Sequence, residues 1–548
     1  MQLLAENAEL GVYTDVVERA LSDLAERRIV ARIWAKDPTV WRPDPEEITN
    51  RLDWLEITEE VREDVPRFER LRDAALDAGY TDVLLLGMGG STLAPEVFGK
   101  VFADAEPGLR LQILDSTAPG AVQGCAEALD LRRTLFIVAS KSGSTVETIS
   151  FFKYFYHRLV DLLGAEAAGE HFVAITDPGS RLAALGAELG FRELFLNNPN
   201  IGGRYSVLSY FGMVPAALTG LDVARLLDRA DEMRAACGPD VPAAENPAAW
   251  LGVVLGELAK VGRDKLTVIA SSSVAPFGDW AEQLIAESTG KAGTGILPVV
   301  REPLGDPAVY GDDRLFVYLQ LADAPEVAAA LEALSEAGHP VVRIPLADRY
   351  DLGAQYFLWE LATAIAGARL DIQPFNQPNV EAAKRQAKRK VKAYRETGDL
   401  PPAEATPLSF AALRDFVELG GAGDYVALQA YVEPADETWE ALQALRRWIR
   451  DRTQLATTLG YGPRYLHSTG QLHKGDGGNG LFVQFLSEPE TRVPIPDAPG
   501  SDEASLTFGV LIRAQAQGDY EALREVERRV IRFNLTGDVA QQIKTLIP

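Results

Sequence analysis

Between Ser140 and Thr148 the chain reads SKSGSTVET, in which Ser140, Ser142, Ser144 and Thr145 can donate hydrogen bonds and Lys141 adds a positive charge. The apolar run 135–139 before it has the composition of a buried parallel strand, whereas Val146, Ile149, Phe152 and Tyr156 after it recur at helical spacing. A loop between such a strand and such a helix aims backbone N–H groups and the positive end of the helix dipole at one point. The chemistry this suits is the holding of an anion such as a phosphate. A serine-rich loop can also do no more than cap its helix, since serine and threonine are favoured at that position.

Other stretches carry reactive residue types. LLLGMGGSTLAP (84–95) sets Gly87, Gly89 and Gly90 before Ser91 at the end of a strand. A dinucleotide site would want a third spaced glycine where Thr92 stands, although Asp115, at the end of the next strand, imitates the acid that binds a ribose. GGRYS (202–206) presents Arg204 behind two glycines, and WAEQLIAESTGK (280–291) reads as a helix with Trp280, Leu284 and Ile285 inward, ending near Glu287. FNQPNVEAAKRQAKR (375–389) is predicted to start a helix at Pro378, with Gln377, Glu381 and Lys384 on one face. In YLHSTGQLHKGDGGNG (465–480), His467 and His473 sit in a polar, glycine-rich turn, without the Cys, Asp or Glu spacing of a familiar metal site.

These segments need a scaffold. Residues 1–75 read as helices and turns. Strand candidates at 83–87, 109–115, 134–140, 171–177 and 191–197 then alternate with helices. A second series at 265–271, 295–300, 314–321 and 340–346 follows the loop 237–247, with helices near 279–289, 325–337 and 353–367. Such alternation implies α/β architecture, with parallel sheets covered on both faces. The expected divisions are a helical segment 1–75, a doubly wound domain 76–236, and a second one 248–548. The last would include a basic helix 378–397, a proline-rich linker 401–409 and a final αβ stretch.

The 548 residues exceed one core, and 47% hydrophobic with 24% charged residues is ordinary for a globular protein. A net charge of −25 argues against nucleic acid or an anionic membrane as partner, and makes any cluster of Lys and Arg informative. Two cysteines imply no disulfide framework, and no apolar stretch approaches a spanning helix. A soluble, cytoplasmic protein is expected.

Together GMGGS, SKSGSTVET, GGRYS, ESTGK, QPNVEAAK and HSTGQ resemble the motifs of the glucose-6-phosphate isomerase family in the sugar-isomerase (SIS) superfamily. The nearest resemblance is to the isomerase half of bacterial transaldolase/glucose-6-phosphate isomerase fusions. It implies two flavodoxin-like SIS domains and interconversion of glucose 6-phosphate and fructose 6-phosphate through a cis-enediolate. By the same resemblance Ser140, Ser142 and Thr145, with Lys141 nearby, hold the sugar phosphate, helped by Gln377, while Gly89, Gly90 and Ser91 line the adjoining wall. Glu287 would carry the proton between C1 and C2, Arg204 would stabilise the enediolate, and His467 and Lys384 would open the ring. His473 stands in reserve, because in the family the histidine precedes the QxxVExxK helix and here it follows. The family draws that histidine from the partner subunit, which implies a homodimer. Such proton chemistry needs neither metal nor redox cofactor. The rival readings are a non-catalytic sugar-phosphate-binding regulator with paired SIS domains, a phosphosugar aminotransferase and a dinucleotide enzyme.

Overall fold

Leu84, Leu85, Phe136, Ile137, Val173 and Ile175 are all fully buried, as continuous apolar strands require when both faces of a sheet are covered. A computed structural model, describing residues 4–321, 327–489 and 491–548, places them in a five-stranded parallel sheet. Across it the strands run 110–114, 82–86, 134–139, 172–176 and 193–196. This is the flavodoxin-like order. The chain reverses direction across the sheet between 82–86 and 134–139, and the crevice beyond the carboxyl ends of those two strands is where ligands bind in such sheets. Gly87–Ser91 and Ser140–Thr145 are the loops that leave those ends.

The second sheet repeats the arrangement with 297–300, 265–270, 314–321 and 341–346, and Ala8–Glu9 pairs antiparallel at its edge. The final αβ stretch contributes a sheet of its own. Strands 456–461, 425–431, 480–487 and 529–535 form a parallel sheet of their own, again with the first strand inside and the second at the edge. Residues 248–548 therefore hold two mainly parallel sheets, with the proline-rich stretch 401–409 between them in the chain, and a small antiparallel pair, Pro494–Ile495 with Leu506–Thr507. Every residue of Tyr425–Tyr431 is buried: Val426, Leu428 and Ala430 face a core of this third parallel sheet's own, while Tyr425 and Ala427 pack with Ala286, Leu297 and Val299 of the second series.

Four helices position the site: α1 (Val146–Leu163), α2 (Phe277–Thr289), α3 (Glu381–Thr397) and α4 (Phe508–Glu525). Helix α3 begins at Glu381, three residues after Pro378, so Gln377 lies in the preceding turn and shares no helical face with Lys384. The residues flanking Pro378 are held elsewhere: Asn376 N–H donates to Gln373 Oε1 at 2.9 Å and Asn379 N–H to Gln471 Oε1 at 2.8 Å. Helices α3 and α4 touch closely, because a Cβ on Gly518 would lie 2.7 Å from the backbone nitrogen of Ala387. Phe151 of α1 stacks on Phe508 of α4 with ring centroids 5.7 Å apart. The N-terminal helices pack on the main core, where Trp41 Nε1 donates to the Ala364 carbonyl at 2.8 Å. Among the described residues no helix is long and apolar enough to cross a membrane.

Candidate active site

Helix α2 buries Phe277, Trp280, Ala281, Leu284 and Ile285 against the core. That leaves Gln283 and Glu287, one turn apart, side by side on another face. Gln283 Nε2 donates to Glu287 Oε2 at 3.1 Å. Arg204, in the turn Gly203–Tyr205, brings Nη1 to 3.3 Å from Glu287 Oε1. Its Nε donates to Ser288 Oγ at 2.7 Å, and its Nη2 to the carbonyls of Pro374 at 2.5 Å and Asn376 at 3.2 Å. Both side chains are nearly buried, at 3% exposure for Arg204 and 10% for Glu287, which strengthens their attraction relative to water.

The glycine motifs interlock behind this pair. A Cβ on Gly90 would fall 2.1 Å from the Gly203 carbonyl oxygen, so the two loops meet backbone to backbone. Gly89 adopts φ +55°, and a Cβ there would lie 2.9 Å from Gln283 Nε2 and 3.0 Å from the His467 carbonyl oxygen. Ser91 is buried beside them.

His467 closes the turn Arg464–His467, and its Nε2 lies 3.1 Å from Glu147 Oε1 in the first turn of α1. Gln515 Nε2 of α4 donates to the same oxygen at 2.7 Å. Burial of the Glu147 carboxyl opposes ionisation, but the charge and hydrogen bond of His467, with the charge of Lys384, outweigh it and hold its pKa below the ordinary value. Gln283 Nε2 also donates to the His467 carbonyl at 2.7 Å, while its Oε1 is buried without a partner among the described residues. Hydrogen bonds thus link Glu147 to the His467 ring, and the His467 backbone carbonyl through Gln283 to Glu287.

In that loop Ser140 Oγ and Thr145 Oγ1 are 2.9 Å apart, Ser142 Oγ and Ser144 Oγ 3.0 Å. Gly143 turns the backbone at φ +65°. No side chain caps α1, so its first N–H groups stay open to an anion. The Lys141 ammonium pairs with Asp177 and donates to the Pro199 carbonyl at 2.8 Å. Gln377 and Lys384 are exposed; Lys384 Nζ lies 2.9 Å from Glu381 Oε1.

His473 does not join them. It lies inside the third unit, its ring 5.0 Å from that of Phe482 and 5.8 Å from that of Tyr465, with Nδ1 3.3 Å from Gln429 Nε2. Burial, with the charges of Lys474 and Arg528, pushes its pKa well below the ordinary range. Asp115 is likewise taken: Arg464 Nη1 pairs with it at 2.8 Å, which leaves the dinucleotide reading without its ribose ligand.

Sequence reasoning passed over three residues. Glu147 stood inside a quoted motif, and Gln283 was visible as the i−4 neighbour of Glu287. Lys291 gave no signal beyond its place in ESTGK. It is 4% exposed and donates from Nζ to the Asn376 carbonyl at 2.5 Å and to Asn376 Oδ1 at 3.1 Å. Burial and the adjacent Arg204 charge push its pKa well below that of an ordinary lysine, against the pull of Glu287.

A carboxylate beside a guanidinium, and a histidine backed by a second carboxylate, can move protons at neighbouring atoms of a ligand whose anionic end rests on α1. The chain as a whole is similar to known proteins. Residues 18–292 match the family described as phosphoglucose isomerase. The chain is 28% identical over 451 residues to a glucose-6-phosphate isomerase of Thermosynechococcus vestitus, covering 72% of this chain and 81% of that protein. With the glucose-6-phosphate isomerase of Rubrobacter xylanophilus identity is 30% over 379 residues, 60% of this chain and 84% of the relative. Among solved structures, a hypothetical protein from Thermus thermophilus superposes with a TM-score of 0.60 at 25% identity, over 70% of this chain and 99% of that one. A glucose-6-phosphate isomerase from Chlamydia trachomatis shares the fold with a TM-score of 0.53 at 20% identity, over 72% and 81%.

Proposed function

The chain belongs to the phosphoglucose isomerase family, and from that premise we propose how its residues divide the work of an aldose–ketose isomerase. It interconverts glucose 6-phosphate and fructose 6-phosphate. The phosphate rests on the open N-terminus of α1, held by Ser140, Ser142 and Thr145, with Gln377 approaching from the opposite side. Gly89, Gly90 and Ser91 form the wall along the sugar. Lys141, committed to Asp177, supports the loop from behind.

Ring opening moves a proton from the anomeric hydroxyl and returns one to the ring oxygen. His467 serves as the acid–base group, held by Glu147, with Lys384 at the mouth. In the open chain Glu287 then takes the proton from C2, leaving a cis-enediolate whose charge falls to Arg204, and returns it to C1. Gln283 fixes both centres at once, since one nitrogen bonds Glu287 and the turn that carries His467. The observation that supports this reading best is the 3.3 Å contact of Arg204 with a carboxylate shielded from water.

A coupled assay with EDTA present tests it. Glu287→Gln should lower kcat by about 10²-fold or more with little change in KM, the usual scale for a positioned acid–base group. Unimpaired turnover would remove Glu287 from the mechanism. The reading further includes a cytoplasmic enzyme, consistent with two free cysteines, and a homodimer. The dimer is proposed from the family resemblance alone, because His467 meets Glu147 within one chain; sedimentation velocity measures it directly.

A further inference from the structure

Helix α3 concentrates charge of the wrong sign for this protein. Its seventeen residues hold seven cations against two carboxylates, in a chain whose net charge is −25. One face packs on α4, where Lys390 pairs with Glu521 at 2.5 Å. The other face exposes Lys384, Arg385, Lys388, Arg389, Lys392 and Arg395. Among the described residues Arg385, Lys388, Arg389 and Arg395 have no ion-pair partner, and the Lys392–Glu396 contact is a loose 3.9 Å. The basic surface continues past the helix: Lys153 of α1 feels the positive charges of both Arg181 and Arg395, with Asp497 opposing them.

The ends of this stripe are informative. At its start the charge of Lys384 reaches Glu147, the partner of His467. Just before it, Asn379 is bound to Gln471, and the Asn376 carbonyl accepts from Arg204 and Lys291. So the cations begin at the site and lead away from it along the surface for about 25 Å, the length of such a helix.

A phosphate monoester at neutral pH carries nearly two negative charges, and a protein this acidic repels it at long range. We propose that the exposed basic face of α3 is an electrostatic guide, drawing the sugar-phosphate dianion to the serine loop against the repulsion of the rest of the surface. This rests on the phosphate-binding reading of residues 140–145 for where the dianion arrives. Arg385, Lys388, Arg389, Lys392 and Arg395 raise the local concentration and encounter rate of substrate without touching the reacting atoms.

The screening length makes the proposal testable, since it is ~30 Å at 0.01 M ionic strength, about 10 Å at 0.1 M and ~3 Å at 1 M. Two full-length variants suffice, Arg385→Gln/Lys388→Gln/Arg389→Gln near the site and Lys392→Gln/Arg395→Gln far from it; glutamine retains helix propensity. With glucose 6-phosphate at ~10 mM ionic strength, the near variant should lose about fivefold in kcat/KM and the far variant about twofold, with kcat unchanged. At ~0.1 M only the near variant should differ from the parent, and at ~1 M neither should. Unchanged kcat/KM at low salt would overturn the proposal, as would a loss that persists at high salt or appears in kcat. The single variants Lys388→Gln and Lys392→Gln carry the same test if a multiple variant fails to fold. Failure of the underlying phosphate reading looks different: Ser140→Ala would leave KM unaltered at every salt concentration.

Discussion

Nε2 of His467 lies 3.1 Å from Oε1 of Glu147, joining the third unit to the first turn of the helix that follows the serine loop. Glu147→Gln keeps the shape and removes the charge. It should reduce kcat by about 10²-fold or more, the scale of acid–base catalysis, while KM changes little. A Glu147→Gln enzyme with normal kcat would reduce the pair to a structural contact.

The two histidines separate cleanly. His467→Asn should abolish turnover with the cyclic sugar phosphate. His473→Gln should retain kcat, with its effect confined to a lower Tm, because that ring is packed between Tyr465 and Phe482. Reversed outcomes in the coupled assay would exchange their roles.

Gly90 has no room for a side chain, since its Cβ would stand 2.1 Å from the Gly203 carbonyl. Gly90→Ala must push the Arg204 turn aside, at a cost of about 1–3 kcal/mol typical of overpacking. Both Tm and kcat should fall, whereas Gly124→Ala, in open space, should spare kcat. Thermal melts and initial rates on the two proteins make the comparison.

Lys291 acts on the turn that precedes Gln377 by holding the Asn376 carbonyl jointly with Arg204. Lys291→Met should free that turn and raise KM for the sugar phosphate by about tenfold, the equivalent of one hydrogen bond's ~1.4 kcal/mol. A change in kcat alone would point instead to a part in proton transfer.

Glu282, one residue before Gln283, supplies a pH dependence of stability. Burial and the nearby Asp279 charge raise its pKa to about 7, against the hydrogen bond from Ser468 Oγ at 2.9 Å. The folded state therefore binds this proton more tightly than the unfolded chain. Its contribution is fully present below the unfolded value of about 4.3 and is lost as pH rises through 7. Glu282→Gln, neutral at every pH, should gain Tm relative to the parent between pH 5 and pH 8; parallel Tm curves would contradict this assignment.

Much of this was legible beforehand, for identifiable reasons. Apolar strands such as 135–139 and 315–319 announce themselves because burial on both faces leaves no polar position within them. Arg204 and Glu287 could be named but not paired, since their 3.3 Å contact depends on two glycine loops packing backbone to backbone. The ion pair of Lys141 with Asp177, just past the end of a different strand, had no local signal, because it joins two loops that only the sheet brings together. The final αβ stretch was legible as such, whereas its closure into a separate sheet depends on pairing between strands far apart in the chain. Only the prolines of 401–409 marked the division. Helix α3 was anticipated from Pro378, yet it starts at Glu381. Its polar neighbours there, Gln373 and Gln471, come from outside the helix, and local propensity contains no information about them.

The sharing of His467 and Glu147 by one polypeptide has a practical corollary. On the proposed assignment the acid–base pair of one site needs no residue from a second subunit. Specific activity should be flat across a dilution series, and an inactive copy mixed with an active one should neither poison nor rescue it.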